Sequence, residues 1–317
     1  MSNILEVKNL NIGFNLADGF QQAVYDVSFS LKKGETLAIV GESGCGKTIS
    51  TMSILQLLPE AALIKSGQII YCGDDILQYS QKQMQKIRGK KIALIPQDPM
   101  TSLNPLYTIG NQLLEIIELH QGVKGKDAFE IAVQALERVK IPDAREKMFA
   151  YPHEFSGGMK QRVIIAMALA CNAEIIIADE PTTALDVTVQ AQIMEILREI
   201  KNNNDVSIIL ITHDLGVVAQ NADKIAVMYA GRIVELGMKD ELFANPLHPY
   251  TKALLNVILD INSTEVKTIE GHPPAITDNI SGCAFHPRCS YCMDKCALQE
   301  PNFDSISEGH NVACFLY

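Results

Sequence analysis

The chain has 317 residues, 47% of them hydrophobic, and a formal net charge of -10. That apolar share supports one large or two modest packed domains and excludes a disordered chain. The acidic balance disfavours a general affinity for nucleic-acid phosphates.

No apolar run approaches the roughly 18 residues that cross a bilayer; those such as Ser207-Ile208-Ile209-Leu210-Ile211 have strand length. Met1-Ser2-Asn3 leads straight into an alternating segment, so no secretory leader is expected. Any membrane role is expected to be peripheral, through partner subunits.

Short β-rich segments are expected at residues 4–10, 24–31 and 36–40, the last running into a glycine loop. A helix follows over 49–58, stopped by Pro59. Strands are expected again at 67–72 and 91–95. Between 108 and 141 the pattern turns helical, with Ala128, Ile131, Ala135, Leu136 and Val139 recurring on one face. A strand at 174–178, a helix at 189–201 and a strand at 206–211 then alternate. That alternation implies a parallel sheet covered on both faces, an α/β fold. A boundary falls near Asn245-Pro246, and His248-Pro249-Tyr250 opens a new helix. The chain is therefore divided into residues 1–245 and an extension, 246–317. Gly271-His272-Pro273-Pro274 breaks regular structure once more. Of the eight cysteines, five lie beyond residue 282. In a reducing compartment, clustered cysteines hold metal more often than they form disulfides.

Gly41-Glu42-Ser43-Gly44-Cys45-Gly46-Lys47-Thr48 fits G-x-x-x-x-G-K-[ST] in full, after a strand and opening a helix. Its glycines let backbone N–H groups, from Ser43 through Ile49, curl around phosphates at a helix N-terminus. Lys47 is expected to reach the β- and γ-phosphates, and the Thr48 hydroxyl to bind Mg²⁺. The strand Ile175-Ile176-Ile177-Ala178 ends in Asp179-Glu180. An acid at the C-terminal edge of a parallel strand suits Mg²⁺, which assigns Asp179 to the metal and Glu180 to the attacking water as general base.

Further motifs follow in a set order. Pro96-Gln97-Asp98-Pro99 resembles the Q-loop of ABC ATPases, and Phe155-Ser156-Gly157-Gly158-Met159 with Gln161-Arg162 resembles their signature. Ala184-Leu185-Asp186 resembles the D-loop, and His213 in Ile211-Thr212-His213-Asp214 the switch histidine. Phe155 stands for the usual Leu and Met159 for the usual Gln, so dimer contacts are expected to differ in detail. On these motifs, which cover roughly residues 4–245, the chain is identified as a member of the ABC ATPase family. The resemblance implies a P-loop NTPase with a RecA-like core, an antiparallel β subdomain and a helical subdomain at about 99–159. It also implies a head-to-tail dimer, with each ATP between one chain's phosphate loop and the other's Ser156, Gly157 and Gly158. Gln97 and His213 would sense the γ-phosphate, with Gln97 also near Mg²⁺, and Phe14 would stack on adenine.

Cys283, Cys289, Cys296 and Cys314 are separated by five, six and seventeen residues. Four thiolates can hold a [4Fe–4S] cluster or one Zn²⁺. The pair Cys289-Ser290-Tyr291-Cys292 keeps zinc open. The tail, with Gly282-Cys283-Ala284-Phe285-His286-Pro287-Arg288-Cys289 and His248-Pro249-Tyr250-Thr251, resembles the C-terminal extension of ATPase subunits from dipeptide, oligopeptide and nickel importers. That resemblance implies a [4Fe–4S] cluster on those four cysteines, with Cys292 an extra thiol.

The implied function is ATP hydrolysis that powers di- or oligopeptide import at the cytoplasmic face of the membrane. The implied partners are two permease subunits, a paralogous second ATPase or a second copy, and, indirectly, an external binding protein. Nickel or metallophore import by the same family stays open. A non-transport ABC ATPase is disfavoured because Lys47 and Ser156 lie 109 positions apart with no coiled-coil insertion, and one cassette is present. A plain P-loop kinase leaves Ser156-Gly157-Gly158 and His213 unexplained.

Overall fold

Two long strands begin the chain, β1 (Asn3–Leu16) and β2 (Gly19–Lys32), paired antiparallel. β1 runs well past the expected residue 10. Its buried positions switch phase between Val7 and Leu10, where a register shift coincides with a φ of 48° at Asn9. A bulge there turns Leu10 and Ile12 back into the core and lets the strand continue. The structure, a computed structural model, describes residues 3–17, 19–183, 185–204, 206–259, 269–278 and 280–317. Ala184 of the D-loop motif lies outside them.

β3 (Thr36–Val40) falls where the sequence places it, with all five residues buried. The following helix differs: α1 (Lys47–Met52) starts earlier than 49 and gives way to a 3₁₀ turn, Ser53–Leu55. The hydroxyls of Ser50, Thr51 and Ser53 bond back to the carbonyls of Gly46, Lys47 and Ser50, at 2.8, 3.3 and 2.6 Å. Such bonds compete with the helical ladder and loosen it. β4 (Ala62–Tyr71) and β5 (Asp74–Asp75) complete an antiparallel sheet in the order β2-β1-β4-β5.

Residues 79–210 form one compact unit; residues 1–78 and 211–317 form the other. In the first come α2 (Gln81–Met84), β6 (Ile92–Ile95) and α3 (Pro99–Ser102). α4 (Ile109–Gln121) starts at Thr108, whose hydroxyl accepts from Asn111 N–H, and stops at Gly122 with φ 73°. α5 (Gly125–Arg138) buries Ala128, Ala132, Val133, Ala135 and Leu136, a wider face than expected, while Ile131 is only half-buried. α6 (Ala144–Lys147) and α7 (Gly157–Ala170) follow. β7 (Ile175–Asp179) pairs parallel with β6, and α8 (Val187–Asn204) leads to β8 (Ser207–Thr212). Strands buried on both faces explain the unbroken apolar runs of β7 and β8.

The chain then returns through α9 (Leu215–Asn221), β9 (Lys224–Tyr229) and β10 (Arg232–Met238). β9 runs parallel to β3, and β10 folds back on β9 through Ala230-Gly231, whose φ values of 45° and 80° suit a two-residue hairpin turn. α10 (Lys239–Ala244), α11 (Pro249–Leu259), α12 (Asp294–Leu298), β11 (Asp304–Ser307) and β12 (His310–Val312) complete the unit. β12 adds to the free edge of β10. The tail also reaches the core: Phe285 is 2% exposed and meets the rings of Tyr229 and Tyr250 at 5.1 and 5.4 Å.

Glu235 anchors this return. It is fully buried, accepts the N–H groups of Leu247 and His248, and lies 2.8 Å from Nε2 of His310. His310 also meets Glu241 at 3.2 Å. Replacing Glu235 by Ala strands two N–H donors and a buried imidazole, and is expected to lower the unfolding midpoint by on the order of 5–10 °C. A thermal melt that moves by less than a degree would show that this buried carboxylate is not what fastens the tail.

Candidate functional site

The phosphate-loop sequence forms a tight bend between β3 and α1. Gly41, Gly44 and Gly46 have φ of 156°, 79° and 100°, conformations that L side chains adopt rarely. A Cβ on Gly41 would stand 2.2 Å from the carbonyl oxygen of Met228, so backbone crowding as well as φ demands glycine. Lys47 is 5% exposed, and its ammonium donates to the carbonyls of Gly41 at 2.8 Å and Glu42 at 2.9 Å. Ser43, Gly44 and Thr48 form the exposed rim, while burial pushes the Cys45 thiol up. The loop therefore offers a charged amine and a helix start at one concave turn, the chemistry of an anion cradle.

Glu42 carries three further restraints. Its N–H donates to the Tyr250 hydroxyl at 3.0 Å. Its carboxylate takes two bonds from Arg288, Nη1 to Oε2 at 2.7 Å and Nη2 to Oε1 at 3.0 Å. Sequence reasoning missed Tyr250 and Arg288 as partners of the loop. The available signal was an acidic residue inside a phosphate-binding motif, which needs a counter-charge to be tolerated there. In the same unit, Phe14 is half-buried on β1 opposite Gln21 and Ala62. His213 is exposed just beyond β8, and Asp214 after it caps α9 by accepting from Gly216 and Val217.

In residues 79–210 the structure brings Gln97 and Glu180 together. Gln97 Nε2 donates to Glu180 Oε2 at 2.8 Å, and Thr183 Oγ1 donates to the same oxygen at 2.9 Å. Glu180 has φ 45°, a left-handed conformation that is uncommon for a residue with a Cβ. Asp179, 2% exposed, ends β7. Ser156 caps α7 through Met159 N–H, with exposed Ser156 and half-buried Gly157 and Gly158 at the helix start. A Cβ on Gly158 would fall 2.6 Å from Val189 Cγ1 on α8, whereas, among the described residues, one on Gly157 meets only Leu185, at 4.0 Å. The two glycines thus have different reasons: close helix packing at 158, open backbone at 157.

The four tail cysteines singled out by spacing line one small cavity, with His248, Phe285 and Met293 among its other walls; Cys292 is not part of it. Gly282, φ 71°, makes this arrangement because a Cβ there would strike the Cys296 carbonyl at 2.3 Å. Burial pushes the Cys283 thiol up to about 11, and the other three thiols add to the rise. Cys289 and Cys314 are raised by burial as well. Among the described residues, no three His, Cys, Asp or Glu side chains converge tightly enough to hold an ion.

The Gly158 contact is testable. Gly158→Ala is expected to cost about 1–3 kcal/mol through overpacking against Val189. Val189→Ala in the same chain should restore at least half of that, as read by denaturant melts of the two single variants and the double. Wild-type stability for Gly158→Ala alone would contradict the close approach.

Residues 24–183 match the ABC transporter family, and residues 234–296 match the oligopeptide/dipeptide transporter C-terminal region. The chain is 50% identical over 319 residues to the dipeptide transport ATP-binding protein DppD of Bacillus subtilis (strain 168), covering 100% of this chain and 95% of that protein. It is 49% identical to the oligopeptide transport ATP-binding protein OppD of the same organism, covering 100% of this chain and 89% of that one. Among solved structures, a dimeric post-hydrolysis state of the ATP-binding cassette MJ0796 bound to ADP and Pi superposes with a TM-score of 0.67 at 26% identity, covering 74% of this chain and 98% of that chain. Full-length similarity of this degree, through both the cassette and the tail, shows that the chain belongs to the ABC transporter ATP-binding family, in its oligopeptide/dipeptide branch.

Proposed function

We propose that this chain binds and hydrolyses ATP to power the import of dipeptides or oligopeptides. The observation that carries the reading is the full-length similarity to peptide transport ATP-binding proteins, which extends through the C-terminal region and not just the cassette. A peripheral seat on two permease subunits at the cytoplasmic face fits the finding that, among the described residues, no helix is long and apolar enough to cross a membrane. Residues 1–245 would form the cassette and 246–317 the extension. The stretch 99–155, with Met100, Leu106 and Tyr107 exposed, supplies apolar surface of the kind a permease helix needs. An external binding protein would deliver the peptide, and nickel or metallophore cargo is the second outcome of any uptake assay.

In this reading the backbone amides of Ser43 through Ile49 and the Lys47 ammonium hold the phosphates, and Lys47 trades its carbonyl partners for phosphate oxygens. Phe14 stacks on the adenine. Thr48, Asp179 and Gln97 offer hydroxyl, carboxylate and amide oxygens, the hard donors that Mg²⁺ favours. Bound there, Mg²⁺ would neutralise charge developing on the phosphoryl oxygens. Glu180 takes the proton of the attacking water as its oxygen bonds to the γ-phosphorus and the bond to the β-phosphate oxygen breaks. The Gln97 and Thr183 contacts aim the Glu180 carboxylate, and His213 senses the γ-phosphate. Ser156, Gly157 and Gly158 serve the ATP of a second subunit, a paralogue or another copy, arranged head to tail.

Cys283, Cys289, Cys296 and Cys314 would hold a [4Fe–4S] cluster. Four thiols lining one cavity are a donor set that a [4Fe–4S] cluster takes, and one Zn²⁺ is the alternative. The cluster would supply cross-linking of a segment with little core of its own. Because burial raises the Cys283 thiol to about 11, loading releases protons and is expected to strengthen as pH rises.

Three measurements test this reading. Glu180→Gln should retain ATP binding and lose turnover on the order of 10²–10⁴-fold, and near-normal hydrolysis would remove Glu180 as the base. Uptake of labelled dipeptides or oligopeptides should vanish when the gene is deleted and return with the wild-type chain; uptake of nickel following that pattern instead would reassign the cargo. Anaerobically purified protein should show broad visible absorption with about four irons and four sulfides per chain. Colourless protein with one zinc would replace the cluster.

A further inference from the structure

Glu42 is an anomaly inside an anion cradle. A carboxylate in the loop that gathers phosphates repels its own ligand unless something compensates it. The compensating group comes from the far end of the sequence, 246 positions away. Arg288 grips Glu42 with both terminal nitrogens, and its side chain is 5% exposed against 24% for Glu42. Its remaining donors are also engaged: Nε bonds the Glu270 carbonyl at 2.9 Å, and Nη1 reaches the Tyr229 hydroxyl at 3.3 Å. The guanidinium is thus fixed from several sides and acts as a planar fork, which a more loosely held charge would not.

The same residue of the loop is engaged through its backbone. The Glu42 carbonyl holds Lys47, and the Glu42 N–H is held by Tyr250 of α11. Arg288 itself sits between Pro287 and Cys289, and Cys289 lines the cysteine cavity. Phe285, three residues earlier, is seated against Tyr229 and Tyr250. A single residue of the phosphate loop is therefore bonded on one side to the phosphate-binding lysine and on the other to the cysteine-rich tail.

We propose that Arg288 is a positioning residue for the nucleotide site: it compensates and turns aside the Glu42 carboxylate, so that affinity for ATP depends on the tail being seated. The proposal rests on assigning residues 41–48 as the phosphate loop. A Lys47→Ala control keeps the two apart, because wild-type ATP binding by that variant would sink the assignment itself.

The experiment is equilibrium binding of a non-hydrolysable ATP analogue with Mg²⁺ to the full chain, alongside thermal melts. Arg288→Ala should weaken binding about tenfold, because removing one partner leaves the other charge uncompensated. Adding Glu42→Gln to Arg288→Ala, so that neither charge is left unpaired, should recover most of that loss. A merely structural role for Arg288 would not be rescued by neutralising Glu42. Unchanged affinity in folded Arg288→Ala, or a loss that Glu42→Gln fails to repair, overturns the proposal. Should Arg288→Ala not fold, the double variant decides: recovery of fold and affinity supports the charge account, and continued failure contradicts it.

Discussion

The nucleotide end of this protein depends on keeping one ammonium group in place inside a bend. Lys47 is nearly buried, and a buried cation needs acceptors on every donor it can turn inward. The loop provides them from its own backbone, through the carbonyls of Gly41 and Glu42. That geometry is available only because Gly41, Gly44 and Gly46 take φ values closed to most side chains. An ammonium held by two neutral carbonyls is ready to move to a more strongly charged acceptor, which is what a polyphosphate is.

A comparable economy governs residues 79–210. β7 delivers Asp179 and Glu180 at its end, and the left-handed φ of Glu180 turns its carboxylate toward Gln97 and Thr183. Two donors on one carboxylate oxygen fix the orientation of the Glu180 carboxylate. At the start of α7, a Cβ on Gly158 would crowd Val189 of α8, whereas among the described residues one on Gly157 would meet Leu185 alone, at 4.0 Å. An uncrowded glycine beside an exposed serine cap suits a surface meant to meet another molecule.

Strands were the most legible part of the fold. β3 matches its expected limits, and β7 and β8 lie within one residue of theirs, because continuous apolar runs bounded by polar residues leave little freedom. α1 was misjudged because its serine and threonine hydroxyls bond back to the helix, a competition that hydrophobic periodicity does not record. The bulge at Asn9, which lengthens β1, depends on pairing and was equally hidden. Motif order pointed to the lysine, the acid pair and the serine cap. Two side-chain pairs of long sequence separation, Glu42 with Arg288 and Glu235 with His310, were not legible. Each joins a carboxylate to a cation-capable group whose partner only tertiary folding selects.

In the proposed function, the bend at residues 41–48 receives the phosphates. The most direct measurement is a crystal structure of the Glu180→Gln chain with Mg²⁺ and ATP. The expected result is the triphosphate wrapped by the amides of that bend, with Lys47 moved from the Gly41 and Glu42 carbonyls onto a phosphate oxygen. A triphosphate bound elsewhere, or Lys47 still on its two carbonyls, would contradict it.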